Sequence, residues 1–113
     1  MEVITDVNQD IAVVQPMIEI LDAENVASFK QTLSPVLEQY KKLVFDMSRL
    51  TFVDSAGCGA ILSCLRHMTA KGGDLKLAGL QKQVRTLFEM IRLHRIIEIH
   101  ENRDAAVRSY QPC

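Results

Sequence analysis

The chain has 113 residues, 48% of them hydrophobic, and carries 13 Lys and Arg against 14 Asp and Glu for a formal net charge of -1. So even a balance supplies no broad field to concentrate phosphate backbones or anionic lipid, which argues against general nucleic-acid or membrane-surface binding. A chain of this length buries a sufficient core without metal or disulfide, and residues 1–113 read as one domain.

Val3 and Ile4, the polar turn Asn8-Gln9-Asp10 and the run Ile11-Ala12-Val13-Val14 predict two short strands in an antiparallel hairpin. Another apolar run, Met17-Ile18-Glu19-Ile20, follows Pro16, whose missing donor suggests an edge position or a bulge. From Asp22 the period becomes helical. Asp22 is read as the N-cap, Glu24 falls in the first turn, and Val26, Phe29, Leu33, Leu37 and Tyr40 share a face. Pro35 is expected to kink or interrupt this helix.

Leu43-Val44-Phe45 reads as a buried strand ending in Asp46, and Met47-Ser48-Arg49-Leu50 leads on to Thr51-Phe52-Val53. A second helix begins after Asp54-Ser55-Ala56-Gly57, keeps Cys58, Ile61, Leu62, Leu65 and Met68 on one side, and stops at Gly72-Gly73. Leu75, Leu77 and Ala78 form a strand, and Val84, Leu87, Phe88 and Ile91 mark a third helix. Ile96-Ile97-Glu98-Ile99 is a last strand, and Asp104-Ala105-Ala106-Val107 belongs to a short terminal helix. Strands alternating with helices predict an α/β fold: a single-layer, mixed but mostly parallel sheet of four to five strands with helices packed on it.

Cys58, Cys64 and Cys113 form an odd set with no C-x-x-C pair, which suits a reduced, cytoplasmic interior. There is no basic leader and no run near the ~20 apolar residues that span a bilayer. Cys58 and Cys64 are expected to face different sides of their helix, a spacing that does not suit zinc. Val53 stands where a nucleophile elbow needs glycine before Ser55, phosphate-loop and dinucleotide motifs are absent, and His67, His94 and His100 are scattered. Neither catalysis nor a cofactor is expected.

The most unusual stretch is Phe52-Val53-Asp54-Ser55-Ala56-Gly57-Cys58-Gly59, an acid and a hydroxyl at a helix start with two glycines behind them. Free N–H groups and the positive end of the helix dipole there suit an anion, including a phosphate on Ser55. Capping by Asp54 or Ser55 is the commoner role, and the two are compatible. Asp46 ends a strand and is expected on the same rim, where partners of open α/β sheets bind, unless it is an ordinary solvated acid. Lys82, Arg85, Arg92, His94 and Arg95 form either a docking patch or a solvated helix face.

Taken together, the strand-ending Asp46, the stretch from Phe52 to Gly59, the lead-in Leu21-Asp22-Ala23, Leu87-Phe88-Glu89-Met90 and Glu101-Asn102-Arg103-Asp104-Ala105-Ala106 resemble a STAS domain. More specifically, they look like a bacterial anti-sigma factor antagonist, over essentially the whole chain. The resemblance implies a STAS-like fold and a protein that acts by binding. Unphosphorylated, it would capture an anti-sigma factor that is also a serine kinase of the histidine-kinase ATPase fold, and so free a sigma factor. Phosphorylation of Ser55 would switch binding off and a serine phosphatase would restore it. The partner-binding residues implied are Asp22, Asp46, Asp54, Ser55, Ala56, Gly57 and Cys58, with Asp46 and Asp54 as acidic neighbours and Gly57 as the small residue that admits the partner. No metal, cofactor, direct nucleic-acid contact or membrane contact is implied.

Some positions depart from the family. Glu19-Ile20 replaces a glycine commonly found before the Leu-Asp, Ala56 replaces a second hydroxyl, and Cys58 stands where leucine is common. Ile91-Arg92 stands where Ser-Gly often closes the third helix; arginine in a left-handed cap costs about 1 kcal/mol, so that helix is expected to end differently. Two other readings stay open: a STAS subunit of a stress-signalling assembly or lipid-transport ATPase, and a small anion- or nucleotide-binding module.

Overall fold

In the computed structural model, which describes residues 1–111, β1 (Val3–Asn8) turns back through Gln9 and Asp10 into β2 (Ile11–Pro16). The pairing is antiparallel with Asn8 opposite Ile11, and Gln9 takes the left-handed turn conformation at φ 59°. Next come β3 (Ile20–Leu21), α1 (Val26–Gln39), β4 (Lys42–Asp46), β5 (Phe52–Val53) and α2 (Ser55–Ala70). After these follow β6 (Asp74–Ala78), α3 (Lys82–Met90), a 3-10 turn at Leu93–Arg95, β7 (Ile99–His100) and α4 (Arg103–Tyr110). The main sheet has the order β1-β2-β4-β6-β7, parallel beyond the hairpin, while β3 and β5 make a separate parallel pair. Cys113 lies outside the described residues.

Helices cover both faces of the sheet. Ala12, Val14, Leu43, Phe45, Leu75 and Leu77 point into the main core with Phe29, Leu33, Ile61, Met68 and Phe88 from α1, α2 and α3. Their alternates Ile11, Val13, Val44 and Ala78 meet Ala106 and Val107 of α4. Burial on both sides is why β2 and β4 read as unbroken apolar runs, while in β6 Lys76 takes the α4 side and its ammonium bonds Ser109. Phe29 and Phe45 lock α1 to β4 edge to face, with centroids 6.1 Å apart.

Several local expectations change. Asp22 is not the N-cap of α1: Asn25 holds that position, and Asp22 sits in the turn before it, accepting from the Glu24 N–H while its own N–H donates to Asn25 Oδ1. That tight turn consumes the residues that would have formed the first helical turn. Pro35 does not break α1, which runs through it. It lies on the exposed face, and Gln31, whose carbonyl loses its donor, is exposed as well, so water can replace the bond. Pro16 lies on an interior strand, but beyond Val14, where pairing with β4 stops. Met17 and Ile18 belong to no strand, and the last strand is only Ile99–His100, since Ile96 and Ile97 follow the 3-10 turn.

Arg92 overturns the expectation at the end of α3. It does adopt the left-handed conformation, φ 61° and ψ 29°, between Ile91 and the buried Leu93. Packing of Leu93 and Ile97 into the core holds the backbone there against the side chain's preference. Arg92→Gly is therefore expected to stabilise the fold by up to about 1 kcal/mol, read as a rise in Tm of about 3–5 °C.

Candidate functional site

Asp54 caps α2 and also reaches across to the turn before α1. Its Oδ1 accepts from the Gly57 N–H at 2.8 Å, and its Oδ2 accepts from the Ala23 N–H at 3.1 Å. The Asp54 N–H donates to the Leu21 carbonyl at 3.2 Å, and its own carbonyl accepts from Cys58. The segment Leu21 to Ala23 is thereby pinned to the start of α2 by one residue.

Gly57 allows this closeness. A Cβ there would stand 2.6 Å from the Leu21 carbonyl oxygen and 2.7 Å from Val53 Cγ1. It is buried, so the expectation that Gly57 admits a partner is corrected: it admits β3 and β5. The open glycine is Gly59, where a Cβ would meet nothing within 4 Å.

Ser55, first residue of α2, is exposed, and among the described residues its hydroxyl makes no hydrogen bond. Ala56 is half-buried behind it. Asp22 is half-buried in the turn that Asp54 holds. Cys58 is buried, and burial, reinforced by the charge of Asp54, pushes its thiol up. Burial raises the Cys64 thiol to about 11, with the charge of Lys30 opposing it. Both stay protonated at neutral pH, unlike the thiolates that attack carbonyls or bind zinc. The two thiols both face the interior rather than opposite sides of the helix. Among the described residues no three His, Cys, Asp or Glu side chains gather at metal-binding distance.

The structure does not bring Asp46 to this group. Its carboxylate is buried, accepting from Arg103 Nε at 2.8 Å and from the Ser48 N–H at 3.0 Å, and Arg103 binds Asp6 as well at 3.0 Å. Burial opposes the charge on Arg103, but the bonds to Asp46 and Asp6 outweigh it and hold the guanidinium above the ordinary arginine value. Asp46 is thus corrected from an acidic neighbour of Ser55 to an anchor for α4, a role invisible when its partner lies so far along the chain.

Sequence reasoning also missed a groove of about 440 Å³ running from Asp54 and Ser55 between α2 and α3. Its walls are Phe52, Val53, Cys58, Gly59, Leu62, Leu87 and Ile91. Phe52 is 53% exposed and Ile91 50%, and their gathering on one groove, which no local sequence pattern shows, is what sets them apart. Of the basic residues, Arg85 pairs with Glu89, whereas Lys82, Arg92, His94 and Arg95 are exposed, as on a solvated face.

The STAS domain family profile matches residues 2–106. The chain belongs to the STAS domain family. It is 27% identical over 88 residues to the anti-sigma-B factor antagonist of Bacillus subtilis (strain 168), covering 78% of this chain and 81% of that protein. The structure of an anti-sigma factor antagonist from Mycobacterium paratuberculosis superimposes with a TM-score of 0.85 at 16% identity, over 96% of this chain and 92% of that one. The Bacillus cell fate determinant SpoIIAA in its phosphorylated form gives 0.71 at 19% identity, over 97% and 100% of the respective chains. At those identities the two structures speak for the fold. Among the described residues of this STAS domain, no helix is long and apolar enough to cross a membrane.

Three outcomes follow for chemical denaturation of this STAS domain. Gly57→Ala should cost about 1–3 kcal/mol, because its Cβ collides with backbone, while Ser55→Ala should stay within about 0.5 kcal/mol of the parent. Arg103→Ala, which strands the Asp46 carboxylate, should cost up to about 3 kcal/mol, less than a fully buried pair because the guanidinium is partly solvated.

Proposed function

We propose that this STAS domain is an anti-sigma factor antagonist that binds, unphosphorylated, an anti-sigma factor with serine kinase activity of the histidine-kinase ATPase fold, freeing a sigma factor. Phosphorylation of Ser55 by that kinase switches binding off, and a serine phosphatase restores it. The protein works in the cytoplasm by binding, without chemistry of its own, and contacts neither nucleic acid nor membrane.

The observation that carries this reading is the spare hydroxyl at the start of α2. Asp54 has taken the cap, Gly57 is committed to packing, and Ser55 is left exposed with nothing to hold. The likeness to the anti-sigma-B factor antagonist supports the role. A phosphate on Ser55 adds about 1.5 to 2 negative charges beside Asp54, a concentration that a docking surface must desolvate or repel. Within the free protein the helix terminus tolerates that charge, so release occurs without unfolding.

Calorimetric titration of the purified kinase with wild type, Ser55→Ala and Ser55→Asp decides the matter. Ser55→Asp is expected to bind at least about tenfold more weakly, a loss of about 1.4 kcal/mol, with Ser55→Ala near wild type. Equal affinity for Ser55→Asp and Ser55→Ala would overturn the switch. Incubation with the kinase and ATP should yield one phosphopeptide, centred on Ser55, in mass spectrometry.

A further inference from the structure

The groove between α2 and α3 is continuous with Ser55: Asp54 and Ser55 form part of its wall, and Phe52, Leu62, Leu87 and Ile91 supply most of the rest. Phe52 and Ile91 expose half of their surface, and Ile20, paired with Phe52 across β3 and β5, extends the apolar face at 47% exposure. Contiguous apolar surface of this kind marks a site that is covered in the working assembly.

The wall itself indicates what covers it. Its charged side chain, Asp54, already spends both carboxylate oxygens on the N–H groups of Gly57 and Ala23. An anionic amphiphile would find that carboxylate where its head group should sit, and no cation lines the groove to receive it. What fits is a row of uncharged apolar side chains delivered by a protein surface that also reaches Ser55.

We infer that this groove receives apolar side chains of the anti-sigma factor, with Phe52 and Ile91 as the main anchors. The inference rests on the proposed function and names the part of the surface that gives it affinity. Energy at protein interfaces concentrates in a few large apolar residues that become fully desolvated, and these two are the exposed pair flanking a pocket. It also explains why one phosphate suffices. Placed at the end of an apolar groove, it must shed water as the partner closes over it, and no Lys or Arg lines the wall to pair with it.

The test titrates the purified histidine-kinase-fold anti-sigma factor of the source organism against wild type, Phe52→Ala, Ile91→Ala, Ser55→Asp and Met90→Ala. Met90 is 75% exposed but outside the groove, and serves as the control. Phe52→Ala and Ile91→Ala should each weaken binding by about tenfold or more, and Met90→Ala by less than about twofold, with Tm values near the parent's. If both groove variants bind like wild type while Ser55→Asp is impaired, the groove inference is wrong and the switch stands. Weakened groove variants beside an unimpaired Ser55→Asp would support the groove and remove the switch. No binding by wild type would overturn both.

Discussion

The Asp54 carboxylate is the contact on which the candidate site depends. One oxygen closes the first turn of α2 through the Gly57 N–H, and the other holds the Ala23 N–H of the turn that precedes α1. These bonds place β3, β5 and two helix starts within reach of each other, and the missing side chain of Gly57 lets the backbones meet. Ser55 is exposed as a consequence. A helix start needs one good cap, and with the neighbouring acid in that position the serine hydroxyl has no structural duty.

The opposite face of the sheet is held by a different kind of chemistry. Few apolar side chains of α4 reach the sheet, and polar contacts complete its attachment. At its start Arg103 ties Asp46 of β4 to Asp6 of β1. Toward its end the Lys76 ammonium donates to Ser109 at 2.7 Å and lies 4.1 Å from the centre of the Tyr110 ring, while the Tyr110 hydroxyl donates to the Leu43 carbonyl. Burial, with the charge of Asp74 adding to it, keeps that tyrosine protonated well above its ordinary range. Such a small helix needs these bonds because its buried surface alone stabilises it little.

Much of the architecture was legible because the strands are buried on both sides and the helices on one. Continuous apolar runs mark β2 and β4, the alternation Leu75-Lys76-Leu77 marks β6, and spaced apolar residues mark α1, α2 and α3. The errors share a cause. Asp22, Pro35 and Arg92 each obey a local preference in isolation, yet a turn, a solvent-facing position and a packed Leu93 respectively set their actual conformations. Asp46 and Gly57 were placed near the partner because the sequence shows residue type without direction. Their side-chain surroundings, Arg103 in one case and Leu21 in the other, come from distant segments.

By itself the sequence determined an α/β fold with an antiparallel hairpin at its start, a helix beginning at Asp54-Ser55, and the likeness to anti-sigma factor antagonists, since periodicity, capping chemistry and a local motif are all written in neighbouring residues. Tertiary structure alone decided that Asp54 rather than Ser55 is the cap, that Asp46 is bound by Arg103, and that Phe52 and Ile91 flank one groove beside the serine. The physical reason is that exposure and pairing are properties of surfaces brought together by folding. Phe52 and Ile91 lie on different elements, and only the packing of α3 against β5 and α2 makes them neighbours.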